Sequence, residues 1–600
     1  MKNICAKILG LIIAIAIMIS TLGIQSIYAE EKNTYGDWEY TAMEDSVTIT
    51  KYLGDDTQVK VPDIIDGKKV VEIGDEAFMF NDKMETITIP EDIESIGVDA
   101  FYYCTKLSNV EISDTVKSIK KFAFRYCNEL REVKLPSELT EIEYGVFLNC
   151  KKLEKVSIPE SVTSFKFSAF AYCDNLKSIS IPKNVRSIEY HFEGRKGLSN
   201  IYVDKANKYF SSKDGVLYNK NETNLLLYPA EKEDKNFSVP DNVKKIRDSA
   251  FAFNNKLESI NISKNVTAIG EYSFFGCSQL ADVKLPDTLV SMEKGTFSNC
   301  AKLKNITIPK SVTSIGDSVF ENCYQLNDIT IPYKVKKISN KTFYNCTNLK
   351  QVILPQNLLE IGDLSFQNCK SLTKINLPNE LKKLNTGAFG FCENLKNITI
   401  PKKVTTIGSY AFYKCTDLEK IYLPKKLSTI GEGCFKNCIK ISQIVIPNKV
   451  KNIEKYAFSL CKNLRTAKFM GKKPTKIGDN VFEDCSSKFK ISYPKIYKSS
   501  WEKYIDYPKI PHNDVKINVS KITLKKKKVT IRKGKVYKLI YKIKPSIVSN
   551  RSVMWKSSNK KIATVSRKGV VRARKKGKCI ITVITKNGKK KAKCVISVTG

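Results

Sequence analysis

A fixed spacing of 23 residues between cysteines constrains the fold of this chain more than any other feature of its sequence. Four cysteines from Cys104 to Cys173 and nine from Cys277 to Cys461 follow this spacing, and a phenylalanine precedes each of them by three residues. A repeat of this length indicates an architecture built from stacked units. One such unit is too short to bury its own apolar residues, so neighbouring units must cover one another.

One unit, residues 297–319, shows what each repeat contributes. Ile306 and Ile308 alternate with polar residues, which is the period of a β-strand. Pro309 cannot donate a backbone hydrogen bond and is expected to end that strand, while Gly316 is expected to supply a turn. The phenylalanine position has 16 clear copies. The sequence therefore predicts a mainly β solenoid of about 16–17 coils, with neighbouring strands about 4.8 Å apart.

The repeated motif resembles the units of the BspA-type leucine-rich repeat family, which read much like L-x-x-I-x-I-P-x-x-V-x-x-I-G-x-x-A-F-x-x-C. The resemblance covers about residues 71–485. It implies a right-handed solenoid with a parallel sheet on one face. It also implies a surface protein of a class that binds host matrix, host cells or other microbes.

The first 29 residues are typical of a secretory signal peptide. Lys2 and Lys7 precede an apolar run at residues 8–19, and cleavage is expected near Ala29. An uncleaved anchor is the alternative, but the run is shorter than the roughly 20 residues that a membrane helix needs. We expect a secreted, extracellular protein that is associated with the cell wall and is not inserted in a membrane after cleavage.

Breaks in the repeat divide the rest of the chain. The cysteine column fails after Cys173, and a hairpin of Val216–Tyr218 against Leu225–Tyr228 is predicted in the gap. Caps are expected at both ends, because an open solenoid end exposes apolar surface. The predicted order is an N-terminal β-cap (30–70), a first repeat array (71–200), a hairpin insertion (201–239), a second array (240–485), a C-terminal cap and linker (486–511) and a basic domain (512–600).

The basic domain differs abruptly in composition from the repeats. Residues 512–600 contain 23 Lys and 5 Arg against Asp514 alone. Short strand patterns separated by glycine-containing turns predict an all-β sandwich. The segments Val553–Ser558 and Ala563–Val565 resemble the group 2 bacterial Ig-like domain, which implies a cell-surface spacer or adhesive module.

Charge of a single sign attracts polyanions. The sequence thus predicts that an anionic cell-wall polymer retains the basic domain, with a merely solvated lysine-rich surface as the alternative. Nucleic-acid binding is disfavoured, because stacking aromatic residues are not interleaved with the lysines. The candidate polyanion-binding residues are the two densest lysine runs, Lys525, Lys526, Lys527 and Lys528 with Lys589, Lys590 and Lys591.

The cysteines and histidines offer little for catalysis. Parallel, in-register cysteines suit disulfide geometry poorly, so we expect buried free thiols; a bridge between Cys579 and Cys594 remains an alternative. The two histidines, His191 and His512, do not neighbour a nucleophile motif, and no phosphate-binding loop or metalloprotease motif occurs. We expect no enzymatic step, no metal and no cofactor. An extracellular hydrolase with its site in the 201–239 insertion is the alternative.

Binding is the function that the repeat pattern favours. The strand residue between two buried aliphatic residues should point outward, and this position varies while its neighbours repeat. Exposed aromatic and apolar residues can anchor an interface, although they are also ordinary strand formers. We expect a protein or glycan of a host or microbial surface as the ligand; a structural spacer without a ligand is the alternative. The candidate ligand-binding residues are Ile353, Asn376, Thr399, Tyr422 and Val445.

Overall fold

The computed structural model describes residues 33–189, 197–494, 497–502, 512–514, 519–544, 550–586 and 589–600. Nearly all of its regular structure is β. The chain divides into two compact units, Met1–Gln279 and Leu280–Gly600. The predicted signal segment and His191 lie outside the described residues.

Unit 1 contains 24 described strands and a short 3-10 helix at Phe167–Phe170. The strands are β1 (Asn33–Tyr35), β2 (Trp38–Ala42), β3 (Ser46–Tyr52), β4 (Gln58–Lys60), β5 (Ile64–Ile65), β6 (Lys68–Ile73), β7 (Thr86–Ile89), β8 (Ser95–Ile96), β9 (Asn109–Ile112), β10 (Ser118–Ile119), β11 (Glu132–Lys134), β12 (Glu141–Ile142), β13 (Lys155–Ser157), β14 (Ser164–Lys166), β15 (Ser178–Ile181), β16 (Ser187–Glu189), β17 (Asn200–Val203), β18 (Phe210–Lys213), β19 (Val216–Asn219), β20 (Asn224–Leu227), β21 (Asn236–Ser238), β22 (Lys245–Ile246), β23 (Ser259–Asn261) and β24 (Ala268–Ile269).

The coils of unit 1 pair in parallel, and antiparallel strands interrupt them at two places. At the start, β1, β2 and β3 form an antiparallel meander, and β3 then pairs in parallel with β6, which leads to β8 and β10. A second parallel sheet has the order β13-β11-β9-β7-β4. In the segment where the sequence predicts a hairpin, β18, β19 and β20 are antiparallel, and β20 continues in parallel to β22 and β24. The insertion is therefore built into the coil stack of this unit.

Unit 2 contains the following described elements. They are β25 (Asp282–Lys284), β26 (Ser291–Met292), β27 (Asn305–Ile306), β28 (Ser314–Ile315), β29 (Asp328–Thr330), β30 (Lys337–Ile338), β31 (Gln351–Ile353), β32 (Glu360–Ile361), β33 (Lys383–Leu384), β34 (Asn397–Thr399), β35 (Thr406–Ile407), β36 (Lys420–Tyr422), β37 (Thr429–Ile430), β38 (Gln443–Ile446), β39 (Asn452–Ile453), β40 (Thr466–Phe469), β41 (Lys476–Ile477), β42 (Lys490–Tyr493), α1 (Lys498–Glu502), β43 (His512–Asp514), β44 (Lys521–Leu524), β45 (Lys528–Arg532), β46 (Val536–Lys538), β47 (Tyr541–Lys544), β48 (Val553–Ser557), β49 (Ala563–Val565), β50 (Val570–Ala573), β51 (Gly577–Thr585) and β52 (Lys591–Thr599).

Most coils of unit 2 contribute one strand to each of two parallel rows. We name one of them the display row, which consists of β25, β27, β29, β31, β34, β36, β38, β40 and β42. The other row consists mostly of two-residue strands, and its longest sheet has the order β30-β32-β33-β35-β37-β39-β41. The coil around Asn376 has no display strand, and Lys374 forms a single parallel bridge to Asn397 instead.

The phenylalanine column is buried, as the repeat spacing predicted. Phe320, Phe343 and Phe366 are fully buried. In unit 2 the rings from Phe297 to Phe482 stack with centroids 5.2–6.0 Å apart. Because each ring contacts those of the coils above and below, the column forms a continuous core.

The described residues form about 19 turns of roughly 23 residues, whereas the phenylalanine count gave about 16–17 coils. Tyrosines continue the ring column in two of the extra turns. The ring of Tyr52 lies 5.5 Å from that of Phe78, and the ring of Tyr228 lies 4.8 Å from that of Phe251. A count of phenylalanines misses turns in which tyrosine takes the same position.

The cysteines of the repeat fill the core as free thiols. All 17 cysteines of the described residues are free, and all but Cys485 are buried. The Sγ of Cys346 donates a hydrogen bond of 3.1 Å to the carbonyl oxygen of Phe320 on the preceding coil, and most of the other column cysteines make the same contact. In the basic domain, Cys579 pairs with Ile596 and Cys594 pairs with Ile581, so the two cysteines do not lie opposite each other.

The recurrent glycine of the repeat has a different role from the one expected. Gly316 does not have a positive φ; the left-handed residue of its turn is Ser318, with φ 58°. A Cβ on Gly316 would lie 2.8 Å from the backbone nitrogen of Lys294 on the preceding coil. The glycine is therefore required by the close approach of two backbones and not by the turn.

The basic domain consists of small packed sheets. One has the order β45-β52-β51-β48, and another has the order β46-β50-β49. Their inner faces enclose a core that includes Val571, Ile581 and Ile596. Met470, just after β40, packs against a second small core that contains Ile522 and Ile543.

Candidate functional site

The outward position of the strands is exposed at every coil for which the sequence predicted it. The alternation of a strand explains this result: Val352 is buried, whereas Ile353 exposes 51% of its surface. Tyr422 and Val445 expose 59% and 46%. The exposed positions are Glu111, Lys134, Ser157, Ser180, Lys284, Thr307, Thr330, Ile353, Asn376, Thr399, Tyr422, Val445 and Lys468.

The five candidate ligand-binding residues all lie along the display row. Ile353 ends β31, Thr399 ends β34, Tyr422 ends β36, and Val445 lies within β38. Thr399 and Tyr422 are direct partners in the parallel pairing of β34 with β36. Asn376 is also exposed, although its coil has no display strand.

Three cavities along the display row contain these five residues. Ile353 and Asn376 line one of about 560 Å³, while Asn376 and Thr399 line one of about 550 Å³. Tyr422 and Val445 line the largest, which has a volume of about 1160 Å³. The structure thus places all five residues in concave parts of one surface, which the strand pattern alone could not predict.

The largest of the three cavities is also lined by residues that the sequence did not single out. Arg465 and Met470 come from the coil of β40, and Ser520 and Lys544 come from the basic domain. Ser520 donates a hydrogen bond of 2.8 Å to the carbonyl oxygen of Lys544, so these two residues hold each other in place. No local sequence signal could have identified them, because they join the site only through tertiary contacts.

Most of the basic residues that line this cavity are not neutralised. Lys440 is the exception: its Nζ lies 2.6 Å from Oδ1 of Asp417, and this hydrogen bond raises the pKa of Lys440. Among the described residues, Lys420, Arg465 and Lys544 form no ion pair. The cavity therefore presents a net positive charge beside an exposed tyrosine ring, with Glu419 as the one carboxylate among its lining residues.

The two lysine runs of the basic domain are exposed. The run Lys525–Lys528 leads into β45, and the run Lys589–Lys591 leads into β52. These two strands pair in parallel, with Lys528 opposite Val595. Both runs therefore approach the sheet from the same end. Asp514 is the single carboxylate side chain of the domain, and residues 515–600 contain no Asp or Glu, so the lysines greatly outnumber the carboxylates.

Unit 1 carries a surface cluster of aromatic residues that the sequence analysis missed. The guanidinium of Arg125 lies 5.1 Å from the ring centroids of Tyr102, Phe122 and Tyr126. Tyr126 and Tyr103 have φ values of 65° and 64°, at a repeat position where several coils of unit 2 have asparagine. The replacement of asparagine by tyrosine at a left-handed position is the signal that could have revealed this cluster.

No metal or membrane site emerges from the described residues. Within them, no group of three or more His, Cys, Asp or Glu side chains is arranged to hold a metal ion. None of the helices in this part of the chain has the length and hydrophobicity needed to cross a membrane.

The BspA-type leucine-rich repeat model matches residues 63–213, 231–350, 313–441 and 383–510. The chain belongs to this family. The model of the group 2 bacterial Ig-like domain matches residues 518–596. Both family assignments agree with the resemblances stated from the sequence.

Three solved leucine-rich repeat structures are similar to parts of this chain. A leucine-rich cell surface protein from Faecalibacterium prausnitzii is 29% identical, with a TM-score of 0.47 over 58% of this chain and 98% of that one. The pneumococcal vaccine antigen PcpA is 21% identical, with a TM-score of 0.47 over 59% and 93%. A leucine-rich repeat protein from Eubacterium ventriosum is 26% identical, with a TM-score of 0.40 over 64% and 94%.

One curated enzyme shares a short segment with this chain. Kappa-carrageenase of Pseudoalteromonas carrageenovora is 42% identical over 82 residues, which is 14% of this chain. The chain spans about a fifth of that enzyme's length, since the match covers 21% of it.

Proposed function

We propose that this protein is secreted, stays at the cell wall and binds a macromolecule of a host or microbial surface through the display row. The observation that carries this proposal is that Ile353, Tyr422 and Val445 line the cavities of that row. Large exposed apolar side chains in concave sites are typical of binding anchors. The ligand is a protein or a glycan, and binding involves no enzymatic step.

Extracellular placement is supported by the family and by the chain's start. The Faecalibacterium relative is described as a cell surface protein. Lys2, Lys7 and the apolar run at residues 8–19 have the order of a secretory signal.

The basic domain has a separate role in this proposal, which is to retain the protein on an anionic polymer of the envelope. Its exposed lysines at 525–528 and 589–591 favour such retention, as does the presence of Asp514 as its single acidic residue. A chain truncated before His512 should be released from isolated cell walls. If the truncated chain stays on the walls, electrostatic retention by this domain is wrong.

A hydrolase site in the insertion has less support. The side chains of Val216, Leu217 and Tyr218 are buried there and pack as core. Burial raises the pKa of both Tyr218 and Tyr228, which keeps their phenol groups protonated. The short match to the carrageenase does not supply a candidate catalytic group.

The proposal is tested with an array of matrix proteins, mucins and glycans. The full secreted chain should bind at least one of them saturably, and Tyr422→Ala should weaken that binding about tenfold or more, as expected for an interface anchor. The matched control is Tyr333→Ala, because Tyr333 is exposed by 70% but lines none of the three cavities. The absence of saturable binding to every probe would favour a structural spacer.

A further inference from the structure

Five basic residues follow one another along the cavities of the display row. They occupy five of the six successive coils from β31 to β40, at two adjacent repeat positions: Lys350, Lys396 and Arg465 at the first, and Lys374 and Lys420 one residue later. The coil of β38 has Ser442 and Gln443 at these positions, and Glu419 takes the first position in the coil of Lys420. Each of them is exposed and lines one of the three cavities. We name this set the cation ladder, and its members are Lys350, Lys374, Lys396, Lys420 and Arg465.

The backbone holds these side chains at regular intervals. Lys396 donates a backbone hydrogen bond of 3.2 Å to Thr373 on the preceding coil, and Arg465 donates one of 2.9 Å to Ser442. Neighbouring coils are about 4.8 Å apart in a parallel stack. The coil stack therefore sets the backbone positions from which these side chains extend.

The charges of the ladder are not paired, although Asp328 and Glu419 also line its cavities. Elsewhere a basic residue commonly meets a carboxylate one coil away: Arg131 pairs with Glu154 at 3.3 Å, and Lys370 pairs with Glu393 at 3.3 Å. Among the described residues, no member of the ladder forms an ion pair. Coil-to-coil neutralisation is thus available to this fold, and the five residues of the ladder do not use it.

Polar groups that suit a hydroxyl-rich polymer lie between the cations. Asn376, Ser442, Gln443 and Asn463 line the same cavities and offer amide and hydroxyl hydrogen bonds. Tyr422 is the one exposed aromatic ring among the lining residues. A single ring can stack on a sugar, whereas single-stranded nucleic acid is bound on successive aromatic platforms.

We propose that the display row binds a linear anionic polysaccharide, whose sulfate or carboxylate groups pair with the cation ladder while a sugar ring packs on Tyr422. This inference rests on the proposed function and names the ligand class of the same surface. Lys544 and Ser520 of the basic domain close one end of the site. Binding at this site is saturable and distinct from the retention proposed for Lys525–Lys528 and Lys589–Lys591.

The test measures binding of the full chain to labelled dextran sulfate, with uncharged dextran, polyglutamate and single-stranded DNA as comparisons. The ladder variant is Lys374→Gln, Lys396→Gln and Lys420→Gln combined. The control variant is Lys310→Gln, Lys334→Gln and Lys402→Gln, which removes the same charge from exposed positions outside the three cavities. All six side chains are exposed, so both variants should keep the far-UV circular dichroism of the parent.

Dextran sulfate should bind saturably, and the ladder variant should bind about tenfold or more weakly, since each lost cation removes a charge contact. The control variant should change affinity less than about twofold, and uncharged dextran should not bind. Equal loss in the two triple variants would overturn the inference, because it would show a nonspecific response to net charge. Binding of dextran sulfate that depends on the basic domain and not on the ladder would overturn it as well.

Two further outcomes separate this inference from the proposed function. If polyglutamate or single-stranded DNA binds as tightly as dextran sulfate with the same dependence on the ladder, the ligand class is wrong while the site remains. If dextran sulfate does not bind but an array ligand still depends on Tyr422, the inference fails and the proposed function stands.

Discussion

The stacked phenylalanines make a quantitative prediction about stability. Phe343 is fully buried, and its ring centroid lies 5.5 Å from that of Phe320 and 5.2 Å from that of Phe366. Phe343→Ala should lower the free energy of unfolding by about 3–5 kcal/mol, as for other large-to-small core substitutions. Phe343→Leu keeps most of the volume and loses two ring pairs, which are worth about 0.5–1.5 kcal/mol each, so it should cost about 1–3 kcal/mol.

Urea denaturation followed by circular dichroism measures these changes, and hydrogen exchange locates them. Each coil contacts only its neighbours, so protection should be lost first in the coils of Phe320, Phe343 and Phe366. Tyr333→Ala is the exposed control and should change the free energy of unfolding by no more than about 0.5 kcal/mol. A loss for Phe343→Ala no larger than that of the control would refute the shared aromatic core.

Three further predictions concern thiols, a strained residue and a glycine. Burial raises the pKa of Cys104 to about 12, against about 8.5 for a thiol in an unfolded chain. Because the folded chain keeps this proton to higher pH, its free energy of unfolding should fall between about pH 9 and 12, by about 1.4 kcal/mol per pH unit for each such thiol. In Cys104→Ala this fall should be smaller by the contribution of one thiol. Leu460 has a φ of 60°, a left-handed conformation that strains leucine more than asparagine. Leu460→Asn should therefore stabilise the fold by about 1 kcal/mol and raise the urea midpoint. An unchanged or lower midpoint would contradict backbone strain at this residue. In Gly316→Ala the new Cβ would lie 2.8 Å from the backbone nitrogen of Lys294. We therefore expect the free energy of unfolding to fall by about 1–3 kcal/mol in the same assay. An unchanged value would contradict the close approach, because a glycine needed only for a turn at negative φ would tolerate alanine.

The repetition in the sequence was sufficient to predict the core. Identical residues every 23 positions must superpose when coils stack, so Phe320 is buried as expected. The outward position followed from the same alternation, and Tyr422 and Val445 are exposed accordingly. These predictions needed only the repeat and the geometry of a strand.

The rest depended on distances between coils and between domains, which the repeat does not encode. Gly316 and a turn glycine look alike in sequence, and only the separation from Lys294 distinguishes them. Lys544 enters the largest cavity from 122 residues beyond Tyr422 along the chain. The five candidate residues were therefore foreseeable as a surface, but the cavities that group them were not.

In-register stacking explains how a lysine-rich composition can become a directed surface. Stacked coils bring residues of neighbouring coils together, so the next coil either supplies the opposite charge, as Glu132 does beside Lys155 in unit 1, or adds a like charge nearby, as Lys374, Lys396 and Lys420 do at two adjacent repeat positions in unit 2. The like-charge line repels itself and is unfavourable for the isolated fold. Since the same backbone elsewhere carries paired charges, the cost of leaving this row unpaired is most simply offset by a polyanion that neutralises it.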